Sequence, residues 1–82
     1  MDYNTKLVLH SSYEELDKLE NFLNNLQENL KFDNDFYARL MLTVSEAATN
    51  GVVHGNKLDA DKTVTLIASA SNNNLVISIH DQ

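Results

Sequence analysis

With 82 residues, the chain is one small domain or part of one, and a core of that size is marginal without a staple or a partner. It has no cysteine, which excludes disulfides and thiolate metal sites. Its net charge of −6, with Lys6, Lys18, Lys31, Arg39, Lys57 and Lys62 scattered along the chain, weighs against direct nucleic-acid binding. It has no apolar run of about 18 residues to span a membrane and no signal-peptide core, so a soluble, cytoplasmic protein is expected.

The first element is a strand, Thr5 to His10 (TKLVLH), a short apolar run before a polar start signal. Ser11 with Glu14, or Ser12 with Glu15, has the spacing of a capping box, which opens a helix. Leu16, Leu19, Phe22, Leu23, Leu26 and Leu30 then fall on one stripe at helical spacing, with Asp17, Lys18, Asn21, Asn25 and Glu28 on the other side. Asp33-Asn34-Asp35 breaks that helix and supplies the N-cap of a second, from about Asp35 to His54. Gly55-Asn56 reads as its stop, because glycine accepts the left-handed conformation after a helix end. After a polar loop, Lys57 to Lys62, come two strands, Thr63 to Ala70 and Leu75 to His80. Ser71-Asn72-Asn73-Asn74 between them has the composition of a hairpin turn. Strand, helix, helix, hairpin predicts an α/β (α+β) two-layer sandwich in which helices cover one face of a sheet.

The second helix departs from a plain amphipathic pattern. Tyr37, Leu40, Met41, Val44, Ala47, Ala48 and Val52 make a broad apolar face. Ala38, Leu42 and Val53 make a thinner strip roughly opposite, with Thr49 in it. A helix apolar on two sides is usually covered on two sides, which would turn the polar strip Arg39, Thr43, Glu46, Asn50 and His54 toward a cleft. Glu46 and Asn50 are four apart, hence on one face. A carboxylate among apolar neighbours holds a proton more readily, which suits a general base, and an amide oxygen coordinates Mg²⁺ without adding charge. The same spacing recurs at Glu20 and Asn24, so on the residues alone the pair reads more simply as a polar stripe, or as an Asn50 cap near the helix end. Gly51 inside the helix costs about 1 kcal/mol relative to alanine, which either a close backbone approach or simple tolerance explains. In the last strand Asp81 shares its face with Leu75, Ile77 and Ile79, so it either frays at the strand end or accepts a hydrogen bond from something buried.

Glu46, Asn50 and the trailing His54-Gly55-Asn56 resemble the N box of the GHKL ATPases, which include gyrase-type topoisomerases, histidine kinases and mismatch-repair ATPases. The string SEAATNGVVHGNKLDADKTVTL, followed by LVISIHDQ, is most similar to the bacterial anti-sigma factor serine kinases. In that family two helices precede a hairpin ending in an Asp-x-Gly-x-Gly box, of which Asp81-Gln82 would be the first two residues. The resemblance implies Glu46 as the general base, Asn50 as the Mg²⁺ ligand and Asp81 as the acceptor for the adenine amino group. It places His54 and Asn56 in the cofactor-binding tail, near the phosphates or the lid, without a catalytic role. It further implies Mg-ATP as cofactor, phosphorylation of a serine on an anti-anti-sigma protein, binding of a sigma factor in transcription regulation, and a homodimer.

The family's first-box glycines, ATP lid, second glycine-rich box and closing strands would all follow Gln82. The expectation is therefore the N-terminal part, residues 1–82, of a single ATPase domain with an incomplete GHKL (Bergerat-type) fold. Such a chain would bind ATP weakly or not at all and would not catalyse. The last strand would leave an open edge, inviting a dimer or strand-swapped oligomer. Two other readings are a non-catalytic interaction or dimerisation module of the same fold and a different GHKL ATPase, such as that of a histidine kinase. A metal site from His10, His54 and His80 is disfavoured, because no pair has helical ligand spacing.

Overall fold

The structure is a computed structural model that describes residues 2–72 and 74–82. Its elements are strand β1 (Tyr3–His10), a 3₁₀ turn (Tyr13–Asp17), helices α1 (Lys18–Leu30) and α2 (Asn34–Thr49), a π-helical segment (Asn50–Gly55), and strands β2 (Thr63–Ser71) and β3 (Asn74–Asp81). The strands form one antiparallel sheet in the order β1-β2-β3, with Leu7 opposite Leu66 and Leu66 opposite Ile79. This is the expected two-layer α+β arrangement.

Alternation decides which face of the sheet is covered. Leu9, Val64, Leu66 and Ala68 are buried beneath Leu19, Phe22, Leu23 and Leu26 of α1, Val44 and Ala48 of α2, and Val52. Leu75, Ile77 and Ile79 of β3 are only half-buried against this core, because β3 is an edge strand. The other face carries Val8, Ile67 and Val76, each exposed. Ser71 pairs with Asn74 across the hairpin turn, and Asn72 takes φ of 50°, the left-handed conformation that asparagine tolerates. Asn73, the third residue of that turn, lies outside the described residues.

Three local expectations change. First, neither serine caps the first helix through its side chain. Glu15 instead accepts from the His10 backbone N–H at 3.0 Å and pairs with Lys18 at 2.7 Å, and the chain enters α1 through the 3₁₀ turn. The Lys18 ammonium, then the His10 amide, hold the Glu15 carboxyl below the usual glutamate range. Ser11 is buried and its hydroxyl donates to the Lys62 carbonyl at 2.8 Å. At α2, by contrast, Asp33 caps as expected, accepting from the Phe36 N–H at 2.8 Å.

Second, α2 is covered on one side only. The start of its thinner apolar strip faces out, with Leu42 71% exposed and Ala38 exposed, while Val53 is half-buried against the main core. The few apolar residues on that side do not compete with the broad Val44–Ala48–Val52 face for the sheet. Third, Gly55 is not left-handed, and no described glycine has positive φ. The chain leaves the helix through Lys57 and Leu58 at φ of 54° and 58°, with the Leu58 N–H held by the Val52 carbonyl at 2.9 Å. The two glycines serve another purpose.

Candidate functional site

After Thr49 the hydrogen-bond ladder widens from four residues to five. The Asn56 N–H reaches the Gly51 carbonyl at 2.8 Å, closing a π-turn over Asn50–Gly55. Such insertions re-aim side chains and cluster at functional sites. Here the π-turn swings the chain's two glycines over the end of β3, where Asp81 pairs with Val64 at the close of the ladder.

The absent side chains leave the room that Asp81 uses. A Cβ on Gly51 would lie 3.1 Å from a Val64 methyl and 3.7 Å from the Asp81 Cβ. A Cβ on Gly55 would overlap the Asp81 carboxylate itself. Asp81 is therefore not frayed. Its backbone is in the sheet, and its side chain lies against the π-segment backbone while the residue as a whole stays exposed.

A cleft of about 220 Å³ opens at this point, lined by Ala47, Asn50, Gly51, Ile79 and Asp81. It combines two small or glycine positions, one apolar side chain, one amide and one carboxylate. An amide oxygen suits a hard cation, and a carboxylate accepts hydrogen bonds from amino groups. A larger cleft of about 600 Å³ lies at the other end of β3, between Phe32, Phe36 and the β2–β3 turn, and no ionisable side chain lines it.

The structure brings together two of the five residues singled out in the sequence, Asn50 and Asp81. Glu46 lies one turn earlier on α2. It is exposed and outside the cleft lining, so the thinner strip with Leu42, Thr49 and Val53 does not enclose it. His54 is exposed on the π-segment. Asn56 is 1% exposed, and its amide donates to the Ser11 hydroxyl and the Thr63 carbonyl, each at 3.0 Å. In the other pair of that spacing, Asn24 accepts from the Tyr37 hydroxyl at 2.6 Å, bracing α1 against α2. No group of three histidine or acidic residues converges on a metal position among the described residues.

Sequence reasoning passed over Ala47, Ile79 and the joint role of the glycines. A signal was present: the chain has only two glycines, and their spacing of four puts both on one helical face.

A family model described as histidine kinase-like ATPase domain matches residues 9–82. The chain belongs to this family. The match takes in the histidine kinase-like ATPase elements that build the cleft, from the end of β1 through the π-segment to Asp81. The strand, two helices and antiparallel hairpin agree with a GHKL-type ATPase fold. Comparison with curated proteins gives no match, and comparison with solved structures gives none either. No helix among the described residues is long and apolar enough to cross a membrane.

Proposed function

We propose that the chain supplies the adenine- and metal-binding side of an ATP-dependent anti-sigma factor serine/threonine kinase. The observation that carries the nucleotide part is the convergence of Asn50 and Asp81 on one cleft roofed by side-chain-free backbone. Asp81, acceptor-only when ionised, would take the adenine amino group. Asn50 would offer its oxygen to Mg²⁺, and Gly51 and Gly55 leave the room in which the Asp81 carboxylate sits at the cleft. The residues fit a bound Mg-nucleotide at that end. When bound, Mg-ATP supplies the transferable phosphoryl group; the chain's own residues bind and orient it.

Two features argue that the 82 residues alone bind weakly and do not turn nucleotide over. The cleft is smaller than the 300–1,000 Å³ typical of ligand sites, and Glu46, the proposed base, stands outside it. The expected affinity is on the order of 1 mM, or about −4 kcal/mol. The kinase reading, with a sigma factor and an anti-anti-sigma protein as partners in a cytoplasmic homodimer, rests on the likeness of Ser45–Leu66 and Leu75–Gln82 to that family. The exposed Glu46 favours one further reading of this chain, a module of the same fold that holds protein partners without catalysis.

Calorimetric titration with Mg-ADP tests the nucleotide part. Weak saturable binding that Asn50→Ala and Asp81→Ala each reduce is expected; binding indifferent to both substitutions would refute it. Phosphotransfer to an anti-anti-sigma serine, lost in Glu46→Ala, would identify the intact protein as the kinase rather than the module.

A further inference from the structure

Asn56 is the most deeply buried amide near the cleft, yet it does not line the cleft. Its Nδ2 group bridges two different elements. One hydrogen goes to the hydroxyl of Ser11, just past β1, and the other to the carbonyl of Thr63, the first residue of β2. Both partners are themselves held. The Ser11 hydroxyl and N–H both donate to the Lys62 carbonyl, at 2.8 and 3.1 Å, and the Thr63 N–H donates to the Gln82 side-chain oxygen at 2.9 Å. The Asn56 backbone N–H closes the π-turn on Gly51. One residue thus ties the end of β1, the start of β2 and the end of the π-segment.

The placement of this knot matters. Thr63 precedes Val64, which pairs with Asp81, and Asn56 follows Gly55, on which the Asp81 carboxylate lies. The Asn56 amide is therefore a polar link that ties Gly55 to the start of β2, whose Val64 pairs with Asp81 of β3. One hydroxyl and one carbonyl acceptor orient the amide, and its Oδ1 has no partner among the described residues. The site keeps a buried, half-satisfied amide rather than an apolar side chain, at a cost in stability.

We infer that Asn56 is a positioning residue, not a ligand contact: its buried amide sets the distance between the Gly55 backbone and the Asp81 carboxylate, and so where that carboxylate stands in the cleft lining. This rests on the nucleotide reading for its functional meaning, but its geometry is tested without ligand. In the 82-residue chain, a nuclear Overhauser contact between a Gly55 α-proton and the Asp81 β-protons reports that distance. Asn56→Ala removes both hydrogen bonds, and Ser11→Ala removes one arm, serving in place of the first should Asn56→Ala not fold. The contact is expected to be lost in Asn56→Ala and weakened in Ser11→Ala, while contacts within the Leu23–Leu66 core persist. With Mg-ADP as probe, affinity should fall about tenfold or more, as for other residues that orient a ligand-binding group. A folded variant with a lower unfolding midpoint but an unchanged Gly55–Asp81 contact would overturn the inference, leaving Asn56 a stabiliser only. Should the unaltered protein show no response to Mg-ADP, the nucleotide reading fails on its own, and the ligand-free contact alone decides the role of Asn56.

Discussion

Asp81 and Gly55 make the sharpest pair at the residue scale. Gly55 has ordinary backbone angles, so alanine fits its conformation, and the clash falls on the mobile end of the Asp81 side chain. Gly55→Ala is therefore expected to leave stability within about 0.5 kcal/mol while displacing the carboxylate. Urea unfolding and a Mg-ADP titration on the same sample check this: an unchanged midpoint with weakened binding is predicted, and unchanged binding would count against the role of Asp81. At Gly51 the helical gain of about 1 kcal/mol from alanine opposes a 3.1 Å approach to a Val64 methyl, so the sign of the net effect turns on whether Val64 gives way. Glu15 makes a prediction about pH. Its folded-state pKa is lowered by Lys18 and the His10 amide. Its contribution is thus present above the ordinary glutamate value and is lost as pH falls through the lowered one. Glu15→Gln should reduce the melting temperature at neutral pH, with the gap to the unaltered protein closing in acid. A gap that stays constant from neutral to acid pH would show that the pair contributes nothing.

The elements show how much the sequence could reveal. The stripe Leu19, Phe22, Leu23 and Leu26 is fully legible, because a 3.6-residue period leaves one arrangement that buries it. So is Asp33, whose side chain meets the Phe36 N–H at 2.8 Å. Asp33→Ala should cost about 1 kcal/mol in chemical unfolding, and a cost near zero would mean water caps the helix equally well. The two-sided cover of α2 was misread because periodicity reports which side chains are apolar, not whether a neighbour exists to cover them. Leu42 is the example. The π-turn was not legible at all. It depends on a one-residue shift in backbone hydrogen bonding, which no side-chain period encodes, and its consequence is that Asn50 and Asp81 share a cleft while Glu46 does not. The residues of the candidate site could be picked out as chemistry. Their grouping could not, because it joins the end of a helix to the end of a strand some 30 positions away in sequence.

For the whole molecule, the question is how three strands and two helices manage their open surfaces. β1 and β3 are both edges, not β3 alone, since β2 lies between them. On the uncovered face Val8, Ile67 and Val76 stand one per strand, Val76 being 61% exposed. Unpaired edges and an apolar face both favour self-association, so a dimer is expected by multi-angle light scattering. A monomer at high concentration would contradict it. The same scale decides between the two clefts. The larger one, near Phe32 and Phe36, offers more volume and asparagine amides but no ionisable side chain. The smaller one holds Asn50 and Asp81. The most direct test is a ¹⁵N-resolved titration of the 82-residue protein with Mg-ADP. The account predicts shifts at Gly51, Gly55, Ile79 and Asp81, saturating weakly, with Phe36 and Leu75 unmoved. Shifts confined to the Phe36–Leu75 end, or none at all, would contradict it.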